Sequence, residues 1–451
     1  MSVDAAHGRP RTLILCFDGT SDKYDKSNTN VVKLYSLFSK DHTGEQLCYY
    51  QAGVGTYTEP GFISSIVQWV AKTLDKAIAW YLYQHILDGY RFLMRNYNTG
   101  DRVCLFGFSR GAYTARALAG MLHKVGLLSK DNTEQIPFAY QLYASDRPDD
   151  LDLVEGFKRT FCRKVPIDFV GVWDTVASTG IIMNKTLPFV GVNTTIRVFR
   201  QALALDEHRV KFIANYYHRD RDTTVAMDSD LSGRDGHTSN VPGNMSRVVR
   251  RQTDEIFDNT DVKEVWFAGC HANVGGGVTG NEEKNAFSDI PLRWMVREIV
   301  SAGVKVIFDE KALEDHRIPV SMIVSQPTKK GSWPQHPEIN GAFVNRQKGN
   351  GYGDQGSPND DPLDVEDVKN VKSKIKDQLA NVPAWKLLEY IPTTFSAMDE
   401  NGKPIEKRTL HSQRGRQVPP NPYFHESVRE CMKQGYEPRA EYKKGEERYV
   451  Y

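Results

Sequence analysis

The 451-residue sequence predicts an α/β fold: a mostly parallel central sheet flanked by helices, with peripheral additions toward the C-terminal end. Three observations predict it. Short apolar runs recur between Arg11 and Ala268, and several end in Asp or Gly, as buried strands feeding loops do. Stretches with apolar residues at three-four spacing separate these runs, and strands alternating with helices imply parallel pairing. The composition, 40% hydrophobic and 25% charged, is that of a globular chain with a sizeable core and excludes a disordered or membrane-spanning one.

Taken in order, Arg11 to Phe17 (RTLILCF) reads as the first strand and ends in Asp18-Gly19-Thr20. Asn30 to Ser39 places Val31, Leu34, Tyr35 and Phe38 at helical spacing, and Glu45 to Gln51 is the next strand before Gly53-Val54-Gly55. Ile63 to Asn98 forms a long helical region, with Ile63, Val67, Val70, Ala71 and Leu74, and later Ile86, Tyr90 and Leu93, apolar at three-four spacing. Within it, Phe62 to Tyr83 is strongly apolar, yet Lys72, Asp75 and Lys76 exclude a spanning helix. This amphipathic stretch can pack on the sheet, cover a site or touch a membrane surface. Arg102 to Phe106 is a strand and Ala112 to Val125 a helix; Ile167 to Trp173 and Val262 to Ala268 are further strands. From about Gln326 the texture changes to Lys329-Lys330-Gly331, a Gly/Asp-rich tract from Gly349 to Asp361 and a Lys-rich helix candidate from Val365 to Leu379. The end, Tyr436 to Tyr451, is charged enough to fray. Residues 11–325 are therefore expected to form the catalytic domain and 326–451 a peripheral extension packed on or beside it.

Charge and cysteine usage limit the partners and the compartment. With 58 basic against 57 acidic residues, the net charge of +1 offers no electrostatic case for nucleic acid. Cys16, Cys48, Cys104, Cys162, Cys270 and Cys431 lie far apart without a CxxC pair, which fits a reducing compartment. Met1 to Arg11 is short and polar, so no Sec-type export is expected and the location expected is cytoplasmic. No HxxH, HExxH or CxxC spacing and no calcium-loop pattern occurs, so neither a metal nor another cofactor is expected.

Between the Arg102 strand and the following helix lies Gly107-Phe108-Ser109-Arg110-Gly111. A serine hydroxyl is a poor nucleophile unless a base takes its proton, and a sharp strand-to-helix turn exposes it to that base. The glycines at 107 and 111 permit the crowding. The pentapeptide is weak evidence alone; its position between a strand and a helix raises it to an α/β-hydrolase-like nucleophile. The base is expected at a later strand end, where His271 sits in Gly269-Cys270-His271-Ala272-Asn273-Val274-Gly275-Gly276-Gly277. His208 and His218 are rivals, but their helix-like, Arg-rich stretch suggests solvated surface. The orienting acid is expected at Asp174, which closes the Ile167 strand; Asp168, inside that strand, is the weaker candidate. Arg110 N–H, next to the nucleophile, and Gly19 or Thr20, in the loop after the first strand, are the expected oxyanion donors, with Asp18 bracing that loop.

Four segments taken together, Leu15 to Thr20 (LCFDGT), Gly107 to Arg116 (GFSRGAYTAR), Gly171 to Val176 (GVWDTV) and Gly269 to Gly277 (GCHANVGGG), resemble the α/β-hydrolase-like family related to type VI secretion phospholipase effectors. Ala202 to Glu207 and Ser288 to Met295 also look like that family's. The resemblance covers about residues 11 to 300 and implies a triad on Ser109, Asp174 and His271 and, for its studied effectors, hydrolysis of phospholipid acyl esters. This chain has Ala272-Asn273 where the family more often has Ser-Asp. The expected activity is hydrolysis of a small-molecule or lipid carboxylic ester through an acyl-enzyme. Two other classes compete. Phe17-Asp18-Gly19-Thr20 overlaps the signature of haloacid-dehalogenase-type phosphatases, but Cys16 stands where their nucleophilic Asp should be. A non-catalytic binding or scaffold protein on a hydrolase fold is the other.

Overall fold

A strand covered by helices on both faces has no polar face to alternate with, so it is apolar throughout. Thr12–Phe17 (β1) is such a strand, buried along its whole length. The computed structural model describes residues 10–19, 24–53, 67–176, 187–217, 260–283, 285–319, 362–373, 375, 377, 393–398, 404–409 and 413–451. After β1 come Asn30–Leu37 (α1), Gln46–Gln51 (β2), Val67–Asn96 (α2), Arg102–Phe108 (β3) and Ser109–Lys124 (α3). Leu127–Leu128 (β4) pairs antiparallel with Cys162–Arg163 (β5), and Ile136–Ala144 (α4) and Leu151–Phe161 (α5) lie between them. Ile167–Trp173 (β6), Ile196–Ala204 (β7) and Asp261–Phe267 (β8) follow, then His271–Gly275 (α6), Asp289–Ser301 (α7) and Glu310–Asp315 (α8). Pro362–Val371 (α9) precedes a hairpin of Thr393–Met398 (β9) and Pro404–Thr409 (β10); Tyr423–His425 (β11), Glu426–Lys433 (α10) and Arg448–Val450 (β12) complete the order.

Eight strands form one sheet in the order β12-β11-β8-β7-β6-β3-β1-β2, and every neighbouring pair is parallel. Alternate residues of each strand feed opposite layers. Ile14 and Cys16 of β1 join Phe106, Trp173, Val31 of α1, Met295 of α7 and Val428 of α10. Leu13, Leu15 and Phe17 join Val103, Leu105, Ile86 of α2, Leu118 of α3 and Leu142 of α4. From β1 the chain steps outward to β2, then returns to place β3 on the other side of β1. At that reversal the connections leave in opposite directions and open a crevice outside the carboxyl ends of β1 and β3.

The strands predicted at 11–17, 45–51, 102–106, 167–173 and 262–268 are all present, within two residues at each end. The strand β7 went unassigned because Arg197, Arg200 and Gln201 mask its apolar pattern. Inside the sheet those charges are paired: Arg200 with Glu298 and Asp261, Arg197 with Asp168. The helix expected from Val365 to Leu379 is shorter, Pro362–Val371. The C-terminal end, expected to fray, instead supplies β12, where the Arg429 guanidinium covers the Tyr449 ring at 3.9 Å and Phe424 meets that ring edge-on. Residues after 326 thus add two strands to the main sheet, and Arg293 of α7 grips Asp367 and Asn370 of α9. The Gly349 to Asp361 tract lies outside the described residues, as do the side chains of Phe62 to Ala79. Among the described residues no helix is long and apolar enough to cross a membrane.

A tight joint lies between α3 and β1. A Cβ on Gly111 would stand 2.2 Å from the Phe17 carbonyl oxygen and 2.4 Å from that of Asp18. Gly111→Ala is therefore expected to lower stability by about 3 kcal/mol in denaturant titration. Gly156→Ala in α5, where a Cβ would meet nothing within 4 Å, is the control and should be neutral or slightly stabilising. Equal midpoints for the two variants would contradict so close an approach.

Candidate active site

Strand β3 passes into α3 with no intervening residue, and Ser109, the first residue of the helix, has φ +58. That left-handed backbone is costly for a residue with a Cβ and turns the side chain outward from the sheet. The turn closes only because its glycines lack side chains: a Cβ on Gly107 would lie 2.5 Å from the Gly111 carbonyl oxygen. Asp174, immediately after β6, also has a positive φ, +42. Its carboxylate Oδ1 accepts the Ala204 N–H at 2.9 Å. His271 opens α6 after Gly269, whose φ of +99 suits glycine.

These three residues, from the ends of β3, β6 and β8, meet. His271 Nδ1 lies 2.5 Å from Asp174 Oδ2, and His271 Nε2 lies 2.8 Å from Ser109 Oγ. The imidazole is packed between Phe108, centroid to centroid 4.6 Å, and Phe212, edge-on at 4.8 Å. Phe108 is held in turn by Gly275, where a Cβ would stand 1.9 Å from the ring. Ring orientation is thus set by packing as well as by hydrogen bonds.

The segment after β7 anchors the histidine turn. Asp206 accepts the Gly269 N–H at 2.7 Å, the Tyr436 hydroxyl at 2.8 Å and the Arg439 N–H at 2.9 Å. Glu207 accepts the His271 N–H at 3.2 Å and the Arg209 guanidinium on both oxygens. Burial would raise the Glu207 carboxyl, but Arg209 and nearby charges bring it down to about 2. Asn273 Oδ1 accepts the Cys270 N–H at 3.1 Å, so this amide caps the turn.

Burial likewise pushes the Asp174 carboxyl up, yet the Arg416 guanidinium and His271 outweigh it and hold it well below the usual carboxylate range. His271 is pushed below its ordinary value, burial of the imidazole outweighing the hydrogen bond that it donates to Asp174. At neutral pH the site therefore holds a carboxylate beside a neutral imidazole able to accept a proton.

The remaining predicted residues fall as follows. Asp18 is buried beside the β1/β3 crevice; Oδ1 accepts the Thr29 hydroxyl at 2.7 Å and the Gly19 N–H at 2.8 Å, and Oδ2 accepts the Tyr50 hydroxyl at 2.7 Å. Arg110 follows Ser109 in the first turn of α3. Thr20 and His218 lie outside the described residues. Asp168 is paired with Arg197 near the other end of β6 and does not reach the site. His208 is buried rather than solvated, because the stretch after β7 is covered by the C-terminal segment: Arg439 contacts its ring and Asp377 lies 3.3 Å from it.

Asp206, Glu207 and Arg416 went unpredicted. Arg416 donates to Asp174 Oδ1 at 2.5 Å and to Oδ2 at 2.9 Å, and to the carbonyls of Ala204 and Phe212. No sequence pattern marked it; Gly415 beside it shows its role only in the structure, where a Cβ would stand 2.0 Å from the Arg439 carbonyl oxygen.

The profile of the type VI secretion phospholipase effector Tle1-like catalytic domain matches residues 11–298. The chain belongs to that family. A Saccharomyces cerevisiae protein, "Uncharacterized protein YEL023C", is 27% identical over 538 residues, spanning 93% of this chain and 78% of that one. Two solved structures are also similar. An uncharacterised Pseudomonas aeruginosa protein is 18% identical with a TM-score of 0.36; the match spans 70% of this chain and half the length of that one. The Tle1 effector bound to the VgrG spike of the type 6 secretion system is 13% identical with a TM-score of 0.38 over 90% and 92% of the two chains. Membership of a phospholipase effector family makes the domain one of the lipase or esterase kind.

The electrostatics yield a direct test. NMR titration of His271 is expected to show a midpoint below its ordinary 6.5, the ring staying neutral as the pH falls through that value. A midpoint above 6.5 would mean that Asp174 outweighs burial.

Proposed function

We propose that this chain is a serine hydrolase that cleaves a carboxylic ester, an acyl ester of a phospholipid being the favoured class, through an acyl-enzyme. The observation that carries the reading is the hydrogen-bonded line from Ser109 Oγ through His271 to Asp174, assembled at the carboxyl ends of three strands. Ser109 Oγ attacks the acyl carbonyl while His271 Nε2 takes its proton, and Asp174 keeps the other ring nitrogen protonated and the ring oriented. The oxyanion is met by the Arg110 N–H and by a donor from the loop after β1, Gly19 or Thr20. Gly19 N–H exchanges its hold on Asp18 for the oxyanion in this scheme. His271 then delivers its proton to the departing alcohol, and water repeats the sequence to release the acid.

The lipid assignment draws on the family, whereas the chemistry draws on the site. All six cysteines are free, which supports action in a reducing compartment. The catalytic unit, in this reading, includes the residues after 326, because β11, β12 and Arg416 belong to the same sheet and site.

A fluorophosphonate probe is expected to label the wild-type protein and to leave Ser109→Ala unlabelled. Turnover across a panel of short esters, lysophospholipids and phospholipids should fall by roughly 10³-fold or more in Ser109→Ala. Equal labelling of the two proteins would end the serine-hydrolase reading. Labelling without turnover of any member of the panel would leave the chemistry and remove the lipid.

A further inference from the structure

A buried carboxylate that orients a histidine commonly relies on backbone N–H groups for its remaining hydrogen bonds. Here a full positive charge from 242 residues further along the chain is forked onto it. We propose that Arg416 is a positioning residue of the active site: it locks the Asp174 carboxylate toward His271 and withholds part of its negative charge from the imidazolium, so that the C-terminal segment sets how basic His271 is. The inference rests on the hydrolase reading for its kinetic meaning.

The geometry is specific. Two N–H donors of one guanidinium meet two oxygens of one carboxylate, a pairing that fixes the plane of both groups. The guanidinium is itself fixed by the carbonyls of Ala204, which ends β7, and of Phe212, in the short helical turn Val210–Phe212 that follows. Its backbone cannot drift either. The Arg416 carbonyl accepts the Glu441 N–H at 2.8 Å, Glu441 accepts the Val418 N–H at 3.0 Å, and the Tyr216 hydroxyl donates to the Gln417 carbonyl at 3.0 Å. Gly415, pressed against the Arg439 carbonyl, is what lets the segment come this close. Asp174 is fully buried and Arg416 nearly so, hence solvent does little to screen the pair.

Other charges facing the histidine are already committed. Glu207, which would favour the imidazolium, and Arg209, which would oppose it, are paired with each other. Asp206 is occupied by Gly269, Tyr436 and Arg439. Arg416 faces Asp174, Glu207 and Tyr216. Of these groups, Arg416 is the one bonded directly to the carboxylate that holds His271. Removing it hands the whole carboxylate charge to His271, which makes the ring easier to protonate, while the carboxylate loses the fork that fixes its plane.

The test uses the full-length chain. The rate of Ser109 labelling by a fluorophosphonate is followed across the titration range of histidine for wild type, Arg416→Lys and Arg416→Met, with the His271 midpoint read separately by NMR. In Arg416→Met the acid limb of the rate profile and the NMR midpoint should both move to higher pH by roughly one unit, with the plateau rate down on the order of tenfold. Arg416→Lys keeps the charge but loses the fork, so it should lower the plateau while moving the limb less. A folded variant whose rate falls with limb and midpoint unmoved would reduce Arg416 to a structural tie and overturn the proposal. If Arg416→Met does not fold, Arg416→Lys decides: a lowered plateau together with a limb and an NMR midpoint moved to higher pH supports the positioning role, and a limb and midpoint identical to wild type overturn it. Wild type that fails to label at Ser109 would bring down the hydrolase reading alone, since the NMR midpoint still reports on the charge balance.

Discussion

A carboxylate taken wholly out of water is among the most expensive groups a protein interior can hold, and it persists only where opposite charge and hydrogen-bond donors surround it. Asp174 is such a group. The Ala204 N–H, the His271 ring and the Arg416 guanidinium reach it from the end of β7, the turn after β8 and the segment before β11. Leaving one charge of such a pair unmatched typically costs about 3–5 kcal/mol, a large share of what holds any domain together. The packing of these three segments and the ionisation of Asp174 therefore depend on each other.

The sheet makes the convergence possible. Because all eight strands run parallel, the residues that follow β1, β3, β6, β7 and β8 emerge on one side of the molecule. A short side chain at each strand end is then enough to bring Ser109, Asp174 and His271 together. The positive φ values at Ser109 and Asp174 show where backbone comfort is given up to aim those side chains. Dense packing around them, Phe108 and Phe212 against the histidine and Gly111 against β1, supplies the constraint that keeps the strained turns in place.

How legible this was in the sequence varied with how local the physics is. The strands β1, β3 and β6 announce themselves because near-complete burial leaves them almost wholly apolar, and β8 does so through its buried end Val265-Trp266-Phe267. The strand β7 does not, since its arginines are neutralised by Asp168, Asp261 and Glu298, residues remote in the chain. Ser109 could be read from its turn, and Asp174 and His271 from their places after strands in the order serine, acid, histidine; the structure brings those three side chains within hydrogen-bond reach. The anchoring of the histidine turn by Asp206 and Glu207 was hidden, though both stand in a segment that looked familiar. Arg416 was invisible, because neither periodicity nor a motif links it to Asp174. Its neighbour Gly415 reads as an ordinary loop glycine until the Arg439 carbonyl is seen against it.

The span between Arg416 and Asp174 also orders events in time. During synthesis the serine, the acid and the histidine emerge in that sequence, and the arginine emerges last. Until residue 416 has left the ribosome, Asp174 has no guanidinium to meet, and β11 and β12 cannot join the sheet edge. Closing so long a loop belongs to the late, slow part of folding. A nascent chain thus carries Ser109 for most of its synthesis without the counter-charge that Asp174 finally meets.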